Sequence, residues 1–287
     1  MQYERPQSTA EAARLLHGAT GPARILAGGT DLIVQMNAGM AEPALVVDIK
    51  RIAGLRDIVA EDGGFRIGAA VACAEMGEHA GLVAAWPGIV EGANLIGSTQ
   101  VQGRATMAGN LCNGSPAADA VPGLVAAGAT ARIVGPEGER DCPVAAIPAG
   151  PGKTTLKPGE FVASFFLPAR PARASDAYLR FIPRTEMDIA VASAAVNLVL
   201  AGDGSVAEAR VALGAVAPTV RLVDPAGAAL VGTRLEEDAL EALAGACREA
   251  CAPIDDKRGT IEFRTRVAGV LARRAALIAY TRAGGRT

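Results

Sequence analysis

The sequence predicts an α+β fold in two domains, and three observations carry that prediction. Short β-type runs alternate with short helical runs in the N-terminal half, with glycine turns between them. Near the C-terminus two apolar strand-like runs joined at Gly202-Asp203-Gly204 precede two stretches of 3.6-residue periodicity, Glu236 to Cys251 and Thr260 to Tyr280. The chain has 287 residues, half of them hydrophobic, which is enough to bury two cores. Pro168 to Ala174 is the expected linker between the two domains.

Taken in order, Ser8 and Glu11 spell a capping box, and Ala12, Ala13, Leu15 and Leu16 follow at helical spacing. Ala23 to Ala27 reads as a buried strand emptying into Gly28-Gly29, and Asp31 to Asn37 as a short helix ending before Gly39. Val46 to Ile49 and Ile58 to Glu61 are strand-like, and Asp62-Gly63-Gly64 signals a hairpin. Helices are expected at Ala74 to His79 and from about Leu82 to Leu95, and the polar, glycine-bearing segment Gly97 to Gly114 reads as loop. Strands are expected again at Ala129 to Val134 and Phe161 to Leu167, separated by the Pro/Gly-rich stretch Pro148 to Gly159. Beyond the linker, Ala190 to Leu200 and Val206 to Val216 read as strands, with Asp188 at the start of the first.

Bulk properties exclude several functions. Lys plus Arg total 28 against 30 Asp plus Glu, a formal charge of -2 without a basic block, so no nucleic-acid partner is expected. Aromatic residues make up only 3%, too few for stacking platforms on single strands and few to sandwich a planar cofactor. The apolar run from Ile189 to Ala201 is too short to span a bilayer, and the N-terminus lacks a secretory pattern. Five unpatterned cysteines fit a reducing compartment, so the chain is expected to be cytoplasmic, without a membrane span.

Two segments carry chemistry. In Leu26-Ala27-Gly28-Gly29-Thr30-Asp31-Leu32 a strand runs into two glycines ahead of a helix, which exposes consecutive backbone N–H groups that a phosphate can approach. Alone, the stretch is equally readable as a tight turn with no ligand. Arg104 to Asp119 is dense in Gly, Asn, Ser and Thr, so its backbone needs water or a ligand to satisfy it.

Together, Leu-Ala-Gly-Gly-Thr-Asp-Leu and Thr106-Met107-Ala108-Gly109-Asn110 with Ser115-Pro116-Ala117-Ala118-Asp119 resemble the paired FAD signatures of the medium subunits of the molybdenum hydroxylase family. That is the family of xanthine dehydrogenase and carbon monoxide dehydrogenase. Pro158-Gly159-Glu160, Phe165 to Pro168, Arg180, Arg184 with Met187 to Ala190, and Ile261 to Arg264 extend the likeness over nearly the whole chain. The resemblance implies an FAD-binding domain at 1–170 of the PCMH or vanillyl-alcohol-oxidase type, with lobes at about 1–55 and 56–170. A smaller α+β domain at 175–287, with a short antiparallel sheet and helices, would follow.

The resemblance further implies that FAD lies between the lobes. Leu26, Ala27, Gly28, Gly29, Thr30, Asp31 and Leu32, with Thr106, Met107, Ala108, Gly109 and Asn110, would line its diphosphate and ribityl region. Cys112 would sit nearby, Asp119 would accept hydrogen bonds from the cofactor, Val162 would touch the adenine or ring region, and Ile96 would contribute less directly. Arg180 falls where relatives carry a Lys close to the flavin, and its charge would favour the reduced, anionic ring. Ala108 replaces the first glycine of a pair, which requires negative φ there. The implied assembly is a doubled heterotrimer. In it a small subunit holds two [2Fe–2S] clusters, a large subunit holds the molybdenum cofactor and oxidises the substrate, and this chain relays electrons without a catalytic residue of its own. A self-contained flavin oxidoreductase and a flavin-free scaffold subunit remain alternatives.

Other features take structural readings. Gly150-Pro151-Gly152-Lys153-Thr154 lacks the first glycine of a P-loop and reads as surface loop. Cys247 and Cys251 lie one helical turn apart and read as core, with no cysteine set for a metal. His17 and His79 read as exposed or capping.

Overall fold

The computed structural model describes residues 1–285. Its N-terminal part comprises β1 (Gln2–Glu4), α1 (Thr9–His17), β2 (Ala23–Leu26), α2 (Leu32–Asn37) and β3 (Leu45–Asp48). The Ser8 side chain caps α1 by accepting from the Glu11 N–H at 3.2 Å, while the Glu11 carboxylate reaches back to the Gln7 N–H at 2.8 Å. The three strands form a parallel sheet in the order β1-β3-β2, with every residue of central β3 buried. Because β2 and β3 run side by side, β2 delivers the Gly28-Gly29 turn and α2 to the strands' C-terminal edge.

Next come β4 (Ile58–Glu61) and β5 (Gly64–Gly68), joined at Asp62 and Gly63, whose φ values of 49° and 74° suit a two-residue hairpin. Helices α3 (Cys73–Glu78), α4 (Ala80–Ala85) and α5 (Pro87–Ala93) follow. His79 caps α4, its Nδ1 accepting from the Leu82 N–H. The single helix expected from Leu82 to Leu95 is broken, since Trp86 precedes a proline and leaves the helical region with ψ 59°. The expected loop at Gly97 to Gly114 instead holds two short helices, α6 (Thr99–Gln102) and α7 (Met107–Cys112). A glycine inside α7 costs helix propensity, but the Thr106 hydroxyl caps the first turn and burial of Met107, Ala108 and Leu111 compensates.

The fully buried helix α8 (Ala120–Ala127) has no counterpart among the sequence expectations, because an all-round apolar segment shows no amphipathic period. After it come β6 (Thr130–Gly135), β7 (Gly138–Pro143), a 3-10 turn at Val144–Ala146, β8 (Pro148–Gly150), β9 (Lys153–Thr154) and β10 (Phe161–Leu167). They complete a five-stranded antiparallel sheet in the order β4-β5-β10-β6-β7 and a separate small β8-β9 hairpin.

The C-terminal part contains β11 (Ala174–Phe181), β12 (Ala192–Leu200), β13 (Val206–Gly214), β14 (Arg221–Leu222), α9 (Asp224–Ala228), α10 (Glu237–Glu249) and α11 (Ile261–Arg282). Its strands form one antiparallel sheet in the order β11-β12-β13-β14. Strand β11 likewise lacks a strand signal in the sequence, since Asp176 and Arg180 interrupt its apolar residues. Asp188 does not open a strand: its carboxylate accepts from the Ile189 N–H at 2.8 Å and from Arg184 at 3.1 Å, which holds a turn ahead of β12. Residues alternate across this sheet. Tyr178, Ala195 and Ala212 pair across neighbouring strands and join the core that includes α5 and α8, whereas Ala177, Ala194 and Leu213 join the core under α10 and α11. The sheet is therefore covered on both faces.

Two buried carboxylates secure the face toward α5 and α8. Asp119 accepts from Tyr178 Oη at 2.7 Å and from Arg180 at 2.6 Å. Asp176 accepts from the Ile89 N–H at 3.1 Å and lies 3.3 Å from Arg170, whose guanidinium stacks on the Trp86 ring at 3.9 Å. The expected linker is thus pinned through Arg170. Burial pushes the Asp176 carboxyl up to about 6, against the opposing effects of Arg170 and the α5 amides. With the folded value above the unfolded one, its stabilising contribution is complete below the ordinary carboxylate value and is lost as the pH rises through about 6. Relative to Asp176→Asn, the wild type should therefore gain stability between pH 7 and pH 4.5 in urea titrations. A gap that shrinks on acidification would show the carboxylate to be stabilised as the ion.

Candidate functional site

One cleft of about 820 Å³ opens between the N-terminal sheet and the segments around α7 and β10, a size within the roughly 300–1,000 Å³ common for ligand and cofactor sites. Its floor is where the turn after β2 meets the segment before α7. A Cβ on Gly28 would stand 2.0 Å from the Arg104 carbonyl oxygen, so glycine there is required by one backbone pressing on another. Gly29 is required for a different reason, its φ of +79°.

Between Gly28 and Leu32 the backbone is left open. The N–H groups of Gly28, Gly29, Thr30, Asp31 and Leu32 find no acceptor among the described residues, and Asp31 provides no side-chain cap to α2. Consecutive unpaired amides at a helix start form a concave anion site. Across the cleft, Thr106 Oγ1 accepts from the Gly109 N–H at 3.0 Å, and Asn110 Oδ1 accepts from the Ala120 N–H at 3.0 Å, which ties α7 to α8. Ala108 has negative φ within α7, so its Cβ is accommodated.

Of the residues expected at the site, the cleft brings together Ala27, Gly28, Gly29, Thr30, Asp31, Leu32, Ile96, Thr106, Ala108, Gly109, Asn110, Cys112 and Val162. Four others lie off its surface. The Leu26 side chain packs beneath Gly29, and Met107 is buried in the core. Asp119 and Arg180 turn toward each other, and burial raises the Asp119 carboxyl to about 6 while Arg180 and Tyr178 oppose the rise.

The cleft also uses residues whose local sequence, Pro158 to Glu160 aside, carries no site signal. Leu16, His17, Arg24, Gln35 and Asn113 line it, as does the run from Leu156 to Phe161. Gln35 Nε2 donates to Asn113 Oδ1 at 3.2 Å, bridging α2 and the end of α7. Gly152 of the P-loop-like stretch donates its N–H to the Gly114 carbonyl at 2.9 Å, and Thr154 reaches the cleft, so this loop is a wall of the site. Pro158-Gly159-Glu160 stood in the sequence as a signal for this wall. His17 gave none beyond its isolation.

The electrostatics suit an anionic ligand with apolar ends. Arg24 and Lys157 line the cleft and enter no ion pair among the described residues. Hydrogen bonds from Arg140 hold Glu160 down to about 2, and burial raises Asp31. Ile25, Ile96, Leu156 and Val162 supply apolar walls. Free amides for a diphosphate, in a cleft that also has apolar walls, fit a dinucleotide. Among the described residues there is no cluster of three metal-ligating side chains, and no helix is long and apolar enough to cross a membrane.

Comparison with known proteins agrees with this geometry. The family described as the FAD binding domain in molybdopterin dehydrogenase matches residues 1–170, and the CO dehydrogenase flavoprotein C-terminal domain matches residues 177–279. The chain is 36% identical over 281 residues to the carbon monoxide dehydrogenase medium chain of Afipia carboxidovorans, covering 98% of this chain and 97% of that one. It is 32% identical over 287 residues to a putative xanthine dehydrogenase FAD-binding subunit of Escherichia coli, covering 99% and 97%. Among solved structures, a chain of CO dehydrogenase from Oligotropha carboxidovorans superposes with a TM-score of 0.93 at 35% identity, over 98% of each chain. A chain of quinoline 2-oxidoreductase from Pseudomonas putida 86 gives 0.90 at 26% identity, over 99% of this chain and 98% of that one.

Proposed function

This chain belongs to the FAD-binding subunits of the molybdenum hydroxylase family, as an oxidoreductase component, and on that premise we propose that it relays electrons and leaves the organic substrate to another subunit. The observation that carries the proposal is the row of five unpaired amides at residues 28–32, facing Gly109 and Asn110 across a cleft with apolar walls. Those amides and the Arg24 and Lys157 charges would hold the diphosphate, and Ile96 and Val162 would bound the cofactor's apolar parts. Bound there, FAD supplies redox chemistry between an iron–sulfur partner and an external acceptor.

The protein's own part is to orient the cofactor, exclude water from its diphosphate and keep it next to a partner. Asp119 pairs with Arg180 at 2.6 Å, so we assign the pair to holding β11 against α8, with any influence on the ring exerted as charge. The division into 1–170, with lobes meeting near residue 55, and 175–287 belongs to the same proposal. So does assembly, as a dimer of heterotrimers, with a small [2Fe–2S] subunit and a large molybdopterin subunit in the cytoplasm.

The purified chain should carry about one FAD. After removal of the flavin, FAD and ADP should compete for the cleft while riboflavin, which has no phosphate, competes far more weakly. Equal competition by riboflavin would overturn the amide assignment. Bleaching of the bound flavin by organic substrate should require the partner subunits; bleaching of the isolated chain would overturn the relay role.

A further inference from the structure

Behind the Gly28-Gly29 turn runs a chain of polar contacts whose side chains, Tyr3, Asp48 and Lys50, are absent from the cleft lining. Tyr3 Oη donates to Asp48 Oδ2 at 2.5 Å, Lys50 Nζ lies 2.7 Å from Asp48 Oδ1, and Lys50 Nζ donates to the Ala27 carbonyl oxygen at 3.2 Å. Asp48 is buried at the end of β3, next to Leu26 of β2 in the parallel register, so the contacts cross the sheet directly beneath the turn. Burial alone would raise the Asp48 carboxyl, yet the hydrogen bonds from Lys50 and Tyr3 outweigh it and hold the carboxyl below its ordinary value.

The Ala27 carbonyl and the Gly28 N–H belong to one trans peptide plane, in which the two groups point in opposite directions. Anchoring the carbonyl toward Lys50 therefore holds the first of the five free amides pointing away from Lys50. Gly28 lacks a Cβ to restrict its own rotation, so an external tether has work to do here. Lys50 itself is absent from the cleft lining and acts from behind.

We propose that Lys50, held by Asp48 and Tyr3, is a positioning residue that fixes the Ala27–Gly28 peptide plane for binding the cofactor's diphosphate. The inference rests on the functional reading above, that the amides at residues 28–32 grip a diphosphate. A rival explanation is that the Lys50 charge simply attracts the anion. The two differ in what they require of Asp48. Removing its negative charge should strengthen binding if Lys50 acts by attraction, and weaken binding if Asp48 holds Lys50 on the carbonyl.

The test uses the full chain stripped of flavin, with FAD, ADP and riboflavin titrated by fluorescence and calorimetry. Lys50→Met should raise the dissociation constants of FAD and ADP together by about tenfold, the size of one charge-assisted hydrogen bond. Asp48→Asn should raise them about three- to tenfold despite removing a negative charge, and Lys50→Arg should recover part of the loss. Weak riboflavin binding should stay within about twofold in every variant, since it uses no phosphate contact; a general loosening of the fold would move it too. Should Asp48→Asn fail to fold, Tyr3→Phe tests the same link and should weaken ADP binding by about two- to threefold. Unchanged ADP binding in Lys50→Met, or tighter binding in Asp48→Asn or Tyr3→Phe, would overturn the proposal. Failure of the wild type to bind either FAD or ADP would instead sink the functional reading on which it rests.

Discussion

Gly28→Ala should empty the cleft of flavin and destabilise the chain at the same time. The added Cβ would stand 2.0 Å from the Arg104 carbonyl oxygen, 2.8 Å from its carbonyl carbon and 3.1 Å from the Ala105 Cα. All three are backbone atoms, so no side-chain rotation relieves the clash and the two segments must separate. Overpacking of this kind costs about 1–3 kcal/mol and more where the backbone cannot yield. A displacement of the order of an ångström also misaligns the amides at 28–32 with α7, and losing two hydrogen bonds to a charged group should cost about a hundredfold in flavin affinity. The flavin-to-protein ratio and the urea midpoint measure the two effects. Gly39→Ala is the control: its φ of +68° strains an alanine, but nothing lies within 4 Å of the new Cβ, so it should cost about 1 kcal/mol and keep its flavin. A Gly28→Ala protein that remains fully loaded would show that the segments are not held at this distance.

Arg180→Met should be the most destabilising single replacement where β11 meets α8, by about 3–5 kcal/mol at neutral pH, because it strips a buried carboxylate of its counter-charge. The Arg180 and Asp119 side chains are only 4% and 9% exposed, so solvent offers little screening. Tyr178 Oη would remain as a partner and cannot supply a charge. Burial already raises Asp119 to about 6, and without Arg180 its carboxyl rises further. The variant's penalty should therefore ease as the pH falls from 7.5 toward 5, where the carboxyl takes up a proton. Adding Asp119→Asn to Arg180→Met should recover much of the loss, since no unpaired charge is then buried. A loss below about 1 kcal/mol in Arg180→Met, or a penalty that grows on acidification, would show that the pair does not hold the sheet to α8.

The site was legible where chemistry depends on residue type in a local run. Gly28, Gly29 and Asp31 announce a turn with open amides ahead of a helix, and Thr106 with Gly109 and Asn110 announces its counterpart, so both walls of the cleft could be named. The residues passed over share a different cause. His17, Arg24 and Lys157 lie on elements that meet only after folding, and an isolated cation or histidine reads the same whether it faces solvent or a cleft. Asp119 and Arg180 show the converse. A carboxylate and a guanidinium within a resembling motif pointed to the cofactor, whereas the fold lets them meet each other on β11 and at the start of α8.

By itself the sequence determined the α+β class, most of the strands and helices, and the family, because periodicity, caps and turn glycines act over a few residues and leave their mark locally. Tertiary structure alone decided that the segment at 97–114 coils into helices, that a charge-bearing run becomes β11, and that Lys50 reaches the carbonyl of Ala27. Those outcomes depend on burial and on partners distant in sequence. A helix propensity worth a few tenths of a kcal/mol, or a charge placed in a strand, is readily overruled by a core or counter-ion that only the assembled fold provides.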